Sequence, residues 1–277
     1  MSKGASPSEE LQESLRVECS PESYRLLLRR ATERGYAFIG FLDEVDAADG
    51  RICLRHDVDY SLQLAVHLAR INAALGIRAT FFILVCSQVY NALGPRSLAC
   101  AREIQQLGQR LGLHCAVPDP LPVEDADLRA EVERQMEVLR AYLTGVEPVF
   151  SWHNPTPELL ARTRDLAWQE LVCTYGEAHI GRMQYFSDSN MRMTFHDLDS
   201  ALGGPLGKGV QLLLHPEIWM MGGQDIVEVL CKTWDWMIRE HEFGVNENSE
   251  WVRRLPGRIP QEVVDAFVGQ VRTAAGR

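Results

Sequence analysis

Four ionisable residues lie within five positions at the end of an apolar run. The letters ICL at 52–54 are followed directly by RHDVD at 55–59. Side chains two positions apart share one face of an extended strand, so Asp57 and Asp59 point to the same side wherever the strand continues through them. Two carboxylates placed this way are suited to binding a metal ion and accepting a proton at one place.

Histidine is scarce in this chain, and half of the histidine residues lie at the ends of predicted strands. The chain has eight histidines, and four lie in the segments RHDVD, LHCAV, SWHNP and LHPEIW. Because parallel strands end at one edge of their sheet, polar residues at those ends are predicted to converge. Three imidazoles and two carboxylates would resemble a metal site with further groups for proton transfer. The residues predicted to converge are Asp57, Asp59, His114, His153 and His215.

A structural interpretation of these residues is also open. A single histidine after a strand is more often a hydrogen-bonded loop residue than a metal ligand, and such loops are polar in general. Other chemistries lack their signatures, since the chain has no GxGxxG after a strand, no GxxxxGK[ST] and no GxSxG. With 28 basic and 38 acidic residues, the formal net charge of -10 argues against a nucleic-acid partner.

Short apolar runs alternate with amphipathic helical patterns along most of the chain. ICLR, ATFFILV, LGLHCAV and GVQLLLH are typical of buried strands, and Ser61 is a candidate cap for the helix after the first of them. This alternation predicts an α/β fold, a distorted (β/α) barrel of about seven parallel strands with outer helices. Residues 1–20 are predicted to be a flexible tail and 21–277 a single domain that ends in a helix within 251–277.

The predicted setting is a reducing one. The seven cysteines are odd in number and form no CxxC pair, which fits a cytoplasmic protein better than a disulfide framework. The first residues lack the apolar core of a signal peptide, and no later segment has about 18 uninterrupted apolar residues. We therefore expect a cytoplasmic protein without a membrane partner.

Taken together, these motifs resemble the polysaccharide deacetylase (NodB-homology, carbohydrate esterase family 4-like) superfamily. The resemblance is strongest to its intracellular members with an R-H-D-V-D first motif, and it runs from about Tyr24 to His241. It is carried by RHDVD before a helix and ATFFILV, then by LGLH, SWHNP, YFSDSN and LLLHPEIW. It implies a distorted (β/α) barrel that holds a divalent metal, often zinc, and hydrolyses an N-acyl or related C–N bond.

The resemblance also implies roles for individual residues. The first aspartate of the first motif, Asp57, would be the base, and the second, Asp59, a metal ligand. His114 would be a second ligand, and His215, at the end of LLLH, the acid. Asp188 in YFSDSN would either orient a catalytic group or cap a turn. Arg55 would pair with Asp57 or Asp188 and keep the base ionised, unless its role is purely structural.

One departure from the family concerns the third metal ligand. Many members have a second histidine four residues after the first, but position 118 here is proline. The ligand must then come from elsewhere or be missing. His153 is the first candidate and Asp119 a weaker one. Because the family's Arg-x-Pro motif survives only as His153-Asn154-Pro155, His153 could instead be a positioning group.

The sequence thus supports three functions. The first is metal-dependent deacetylation of a small N-acylated substrate, a soluble sugar or a biosynthetic intermediate. The second is hydrolysis of a cyclic amide or ureide on the same fold. The third is a catalytically lapsed protein that binds a carbohydrate or a protein partner, which Pro118 favours and the full acid-base set opposes. The oligomeric state is left open.

Overall fold

The computed structural model describes residues 19–43, 50–165, 168 and 170–248. The chain divides into two compact units, residues 1–222 and 223–277, and every strand of the sheet lies in the first. Most of the predicted tail (1–20) and the helix predicted within 251–277 lie outside the described residues. The extent of the predicted single domain therefore stays a prediction.

The first unit is built on an eight-stranded, wholly parallel sheet. The strands are β1 (Ala37–Ile39), β2 (Arg51–Val58), β3 (Thr80–Leu84), β4 (Arg110–Ala116), β5 (Val146–His153), β6 (Val172–Cys173), β7 (Gln184–Ser187) and β8 (Val210–Leu213). Their order in the sheet is β6-β5-β4-β3-β2-β8-β7, and β1 pairs with the first three residues of β2. The sheet curls into a half-barrel with helices around it, as predicted from the alternating pattern.

Helices follow the strands in the order that the sequence predicts. The Ser61 side chain accepts hydrogen bonds from the backbone of Gln63 and Leu64 and so caps the helix after β2, as predicted. The α-helices described in the first unit are α1 (Pro21–Glu33), α2 (Leu62–Ala74), α3 (Pro95–Gln106), α4 (Asp125–Tyr142), α5 (Pro157–Asp165), α6 (Glu177–Ile180), α7 (Phe195–Ala201) and α8 (Pro216–Met221). The second unit contains α9 (Ile226–Asn248). No described helix is long and apolar enough to cross a membrane.

The seam of the half-barrel lies between β6 and β7, where no backbone ladder joins the two strands within the described part of the chain. Tyr175, just after β6, brings its ring to 6.3 Å from the ring of Tyr185 in β7. The segment YFSDSN, which reads as a polar stretch, provides the end of β7 and the turn after it. Side chains therefore span the gap that backbone hydrogen bonds leave open.

A glycine fixes the close packing of the sheet below the predicted site. Gly112 lies in β4, two residues before His114. A Cβ atom at this position would come within 2.7 Å of the Phe82 ring and 2.9 Å of the Val149 carbonyl oxygen. Any larger residue would push β4 away from its neighbours, so glycine sets the position of His114 relative to β3 and β5.

Candidate active site

Three side chains at the carboxyl ends of β2, β4 and β5 come together as a possible metal site. Asp59 Oδ1 lies 3.0 Å from His114 Nε2 and 3.2 Å from His153 Nδ1. The two imidazole nitrogens are themselves 3.2 Å apart. Ligand atoms bound at about 2.1 Å to one cation lie roughly 3.0 to 3.4 Å apart, so this triangle matches a shared metal. The three residues form a cluster able to hold a metal ion.

The chemistry of these donors also fits a cation. Oδ1 of Asp59 is buried, and despite its short distances to both imidazoles it makes no hydrogen bond of good geometry with any residue that the structure describes. Burial alone would raise the pKa of Asp59, but contact with His114 and His153 holds that pKa well below its usual range. An ionised carboxylate oxygen without a donor, beside two imidazole nitrogens, is a suitable ligand set for a divalent metal.

Asp57 lies beside this cluster in a buried ion pair. Arg55 donates from Nε to Oδ1 at 2.8 Å and from Nη2 to Oδ2 at 2.6 Å. Arg55 also donates to the hydroxyls of Thr174 and Tyr175. Burial opposes ionisation of Asp57, but Arg55 and then His114 bring the pKa of its carboxyl below the ordinary value. Of the two partners predicted for Arg55, the structure places Asp57 and not Asp188 against it.

His215 approaches the cluster from β8 on a buried support. Asp188 accepts from His215 Nδ1 at 2.6 Å and from the His215 backbone N–H at 2.8 Å. Burial would lower the pKa of His215, but the charge of Asp188 raises it well above its usual range. The other ring nitrogen, Nε2, lies 3.8 Å from Asp59 Oδ2. Asp188 is thus placed to orient His215, and a proton on Nε2 would face the Asp59 cluster.

Two residues that the sequence groups with the site lie apart from it. Alternation along β2 sends His56 to the other face, where its ring meets Tyr24, Asn72 and the Leu214 carbonyl. Burial lowers the pKa of His56 to about 4, so this ring is neutral. Asp119, the weaker candidate ligand, is exposed and is not part of the metal-binding cluster.

Two further side chains in the site, Ser151 and Trp219, stand at strand and helix spacing from predicted site residues. Ser151 is fully buried in β5, two residues before His153 and therefore on the same strand face. Trp219 lies four residues after His215, one helical turn on, and its Nε1 donates to Asp188 Oδ2 at 2.8 Å. Period-two and period-four neighbours of the predicted site residues would have indicated both.

Glu217, two residues after His215, is a third buried polar group that sequence analysis does not indicate. Burial raises the pKa of its carboxyl to about 8, although the charge of His215 acts in the opposite direction. The folded chain therefore keeps a proton that the unfolded chain releases near its ordinary pKa of about 4.3. The free energy of unfolding falls as pH rises between those two values.

Glu217→Gln is expected to remove this pH dependence, because glutamine has no proton to lose. In chelator-treated protein, the variant should melt only slightly above wild type near pH 5 and at least about 4 °C above it near pH 8. Thermal unfolding followed by circular dichroism at several pH values measures the difference. Glu137→Gln, at an exposed site on α4, is the matched control. A Tm difference that is the same at every pH would contradict the assignment.

The sequence matches no protein-family model and no curated protein. Among solved structures, it is similar to a Streptococcus mutans CE4 esterase at 16% identity, covering 77% of this chain and 91% of that one, with a TM-score of 0.46. A chitin deacetylase from the fungal pathogen Colletotrichum lindemuthianum shows 17% identity, 70% and 84% coverage, and a TM-score of 0.44. A CE4 family pseudoenzyme from Bacillus anthracis shows 16% identity over 76% of this chain and 66% of that one, with a TM-score of 0.41. Similarities this distant leave the chemistry of this chain to be argued from its own side chains.

Proposed function

We propose that this protein is a metal-dependent hydrolase of an amide C–N bond, a deacetylase of the polysaccharide deacetylase superfamily. One observation carries the proposal. An ionised carboxylate, Asp57, and a protonated imidazole, His215, both lie beside the Asp59–His114–His153 triangle. Asp57 Oδ2 is 3.6 Å from His114 Nε2, and His215 Nε2 is 3.8 Å from Asp59 Oδ2. A base and an acid next to a metal-binding triangle are the groups that amide hydrolysis needs.

The third ligand in this proposal is His153, which takes the place of the histidine that position 118 lacks. Its Nδ1 is as close to the other two ligand atoms as they are to each other, within 0.2 Å. Two imidazoles and one carboxylate with open positions are typical of catalytic zinc, so we propose zinc as the metal. A divalent cation held there would supply Lewis acidity toward water and toward the substrate carbonyl.

The protein's own groups then have separate tasks. Arg55 keeps Asp57 ionised but also makes it a weak base, so Asp57 can accept a proton only from an acidified water. His215 donates its Nε2 proton to the nitrogen that leaves, while Asp188 keeps the other ring nitrogen, Nδ1, protonated. This division assigns proton removal to Asp57 and proton delivery to His215.

We further propose a small N-acylated sugar or biosynthetic intermediate as substrate and the cytoplasm as the setting. None of the seven cysteines is in a disulfide, and four of them are buried thiols in the body of the fold. Burial raises the pKa of the Cys115 thiol well above its ordinary value, which suits a packing role and not a reactive one. Seven cysteines without a disulfide fit a reducing compartment.

An acetate-release screen tests the proposed function. Metal-loaded protein is incubated with small N-acetylated sugars, sugar nucleotides and cyclic amides, and released acetate or new amine is measured. We expect turnover with at least one N-acetyl compound, a loss of at least about 100-fold after chelation, and recovery on adding zinc. A metal-loaded protein that binds such compounds without turning them over would contradict it and support the lapsed binding protein. Turnover of cyclic amides alone would support the second hypothesis, hydrolysis of a cyclic amide or ureide.

A further inference from the structure

A single buried hydroxyl joins the proposed base to the proposed metal ligand. Ser151 pairs with His114 in the register of β5 and β4, and His153 pairs two positions on with Ala116. Residues two apart on a strand share a face, so Ser151 lies directly below the metal-binding triangle. Its Oγ is 2.7 Å from His114 Nδ1 and 3.4 Å from Asp57 Oδ1, and the side chain is fully buried.

The protons at this hydroxyl can be assigned from the groups around it. Both oxygens of Asp57 accept from Arg55, so this carboxylate has no proton to donate and the Ser151 hydroxyl donates its one proton to Oδ1. The same oxygen must then accept from His114 Nδ1. The Ser151 backbone carbonyl, which can also only accept, lies 3.3 Å from that nitrogen. Because the Ser151 hydroxyl oxygen and carbonyl oxygen both act as acceptors toward Nδ1 of His114, we infer that this nitrogen is protonated.

We propose that Ser151 is a positioning residue that fixes His114 in the tautomer required of a metal ligand. With the proton on Nδ1, the lone pair of a neutral His114 is on Nε2, the atom that faces Asp59 and His153. An imidazole that ligates a metal through one nitrogen is regularly held through the other in this way. This inference rests on the proposed function in taking Asp59, His114 and His153 as the ligand set.

Ser151 also gives the two carboxylate oxygens of Asp57, the proposed base, different hydrogen-bond partners. Oδ1 of Asp57 receives Arg55 Nε and the Ser151 hydroxyl. Among the described residues, Arg55 Nη2 is the one donor to Oδ2, which lies 3.6 Å from His114 Nε2, on the side of the triangle. Ser151 therefore occupies the oxygen that does not face the metal-binding atoms and leaves Oδ2 to accept a proton there. One hydroxyl sets both the ligand and the base.

Nitrogen-15 NMR of the imidazole rings tests this without any substrate. In metal-free wild-type protein above about pH 8, where an ordinary imidazole is neutral, His114 should show the Nδ1–H tautomer. In Ser151→Ala the Nε2–H form should gain population, because that proton can pair with Asp59. Zinc affinity, measured by competition with a chromogenic chelator, should fall by about 10- to 100-fold. Ser97→Ala, a buried serine on α3 outside the site, should match wild type in both measurements.

The outcomes separate this inference from the proposed function. An Nε2–H tautomer in wild type would overturn the role of Ser151 whatever the variant does. So would a folded Ser151→Ala protein with unchanged tautomer and zinc affinity. If the tautomer and affinity behave as expected but no substrate is hydrolysed, the proposed function fails and the role of Ser151 in metal binding stands.

Discussion

Asp57→Asn is expected to lower kcat by about 10²- to 10⁴-fold while zinc affinity stays near that of wild type. Asparagine has the shape of aspartate but cannot take the proton of an attacking water. The three ligand atoms on Asp59, His114 and His153 are untouched by the change. The substitution also leaves the fully buried Arg55 without its counter-ion, so we expect a lower Tm as well.

Steady-state kinetics at saturating zinc, with metal content measured on the same samples, checks this prediction. Asp199→Asn is the matched control, because Asp199 also pairs with arginines, Arg30 and Arg34, but lies outside the site. Its kcat should equal that of wild type. Loss of bound zinc in Asp57→Asn, with kcat unchanged once zinc is restored, would mean that Asp57 is a ligand and not the base.

Asp59→Ala has the largest expected effect on metal binding. It removes the only carboxylate of the triangle and leaves two imidazoles, of which His153 is partly exposed. Changes to groups that merely support a ligand cost about 10- to 100-fold in metal affinity, so loss of a ligand should cost more than about 100-fold. Activity should be lost with the metal, and zinc at ordinary assay concentrations should not restore it.

Isothermal titration with zinc, on protein first stripped by chelator, measures the affinity of Asp59→Ala. Circular dichroism establishes that the variant is folded. Because Asp59 lies beyond the last residue of β2, its removal should not disturb the strand. Wild-type zinc affinity in this variant would show that the metal, if any, is held elsewhere.

The fold was predictable because its signals are local. Continuous apolar runs such as ATFFILV become strands buried on both faces, and each is followed by an amphipathic helix. Parallel topology then brings the carboxyl ends of β2, β4, β5 and β8 to one edge, which is why residues far apart in sequence could be grouped. The YFSDSN turn was harder, because short edge strands carry little apolar pattern.

The site was less predictable, because side-chain direction depends on tertiary contacts. His56 and Asp57 are neighbours in one motif, yet alternation gives the first to the helix-facing side and the second to the site. Asp119 is close to His114 in sequence but exposed, whereas His153 comes from the next strand and completes the triangle. Pairing between β4 and β5, which sequence does not reveal directly, decides between those two candidates.

Partners of the acid-base groups required the structure for the same reason. Arg55 had two possible acidic partners by sequence, and the structure selects Asp57, whose two carboxylate oxygens accept from Arg55 Nε and Nη2. Asp188 could have capped a turn by sequence. In the structure it accepts hydrogen bonds from the backbone N–H and the ring Nδ1 of His215 and from Nε1 of Trp219. Arg55 and Asp57 are two residues apart and share one face of β2. The contacts of Asp188 join segments 27 and 31 residues apart, which local periodicity does not connect.

Elemental analysis of the purified, untagged wild-type protein by plasma mass spectrometry measures whether Asp59, His114 and His153 hold a metal. We expect close to one zinc, or another transition metal, per chain, either as isolated or after zinc addition and desalting. We expect the metal to be lost from Asp59→Ala under the same treatment. A wild-type protein that retains no metal after zinc addition would show that no metal binds there and mean that Pro118 marks a site that His153 does not complete.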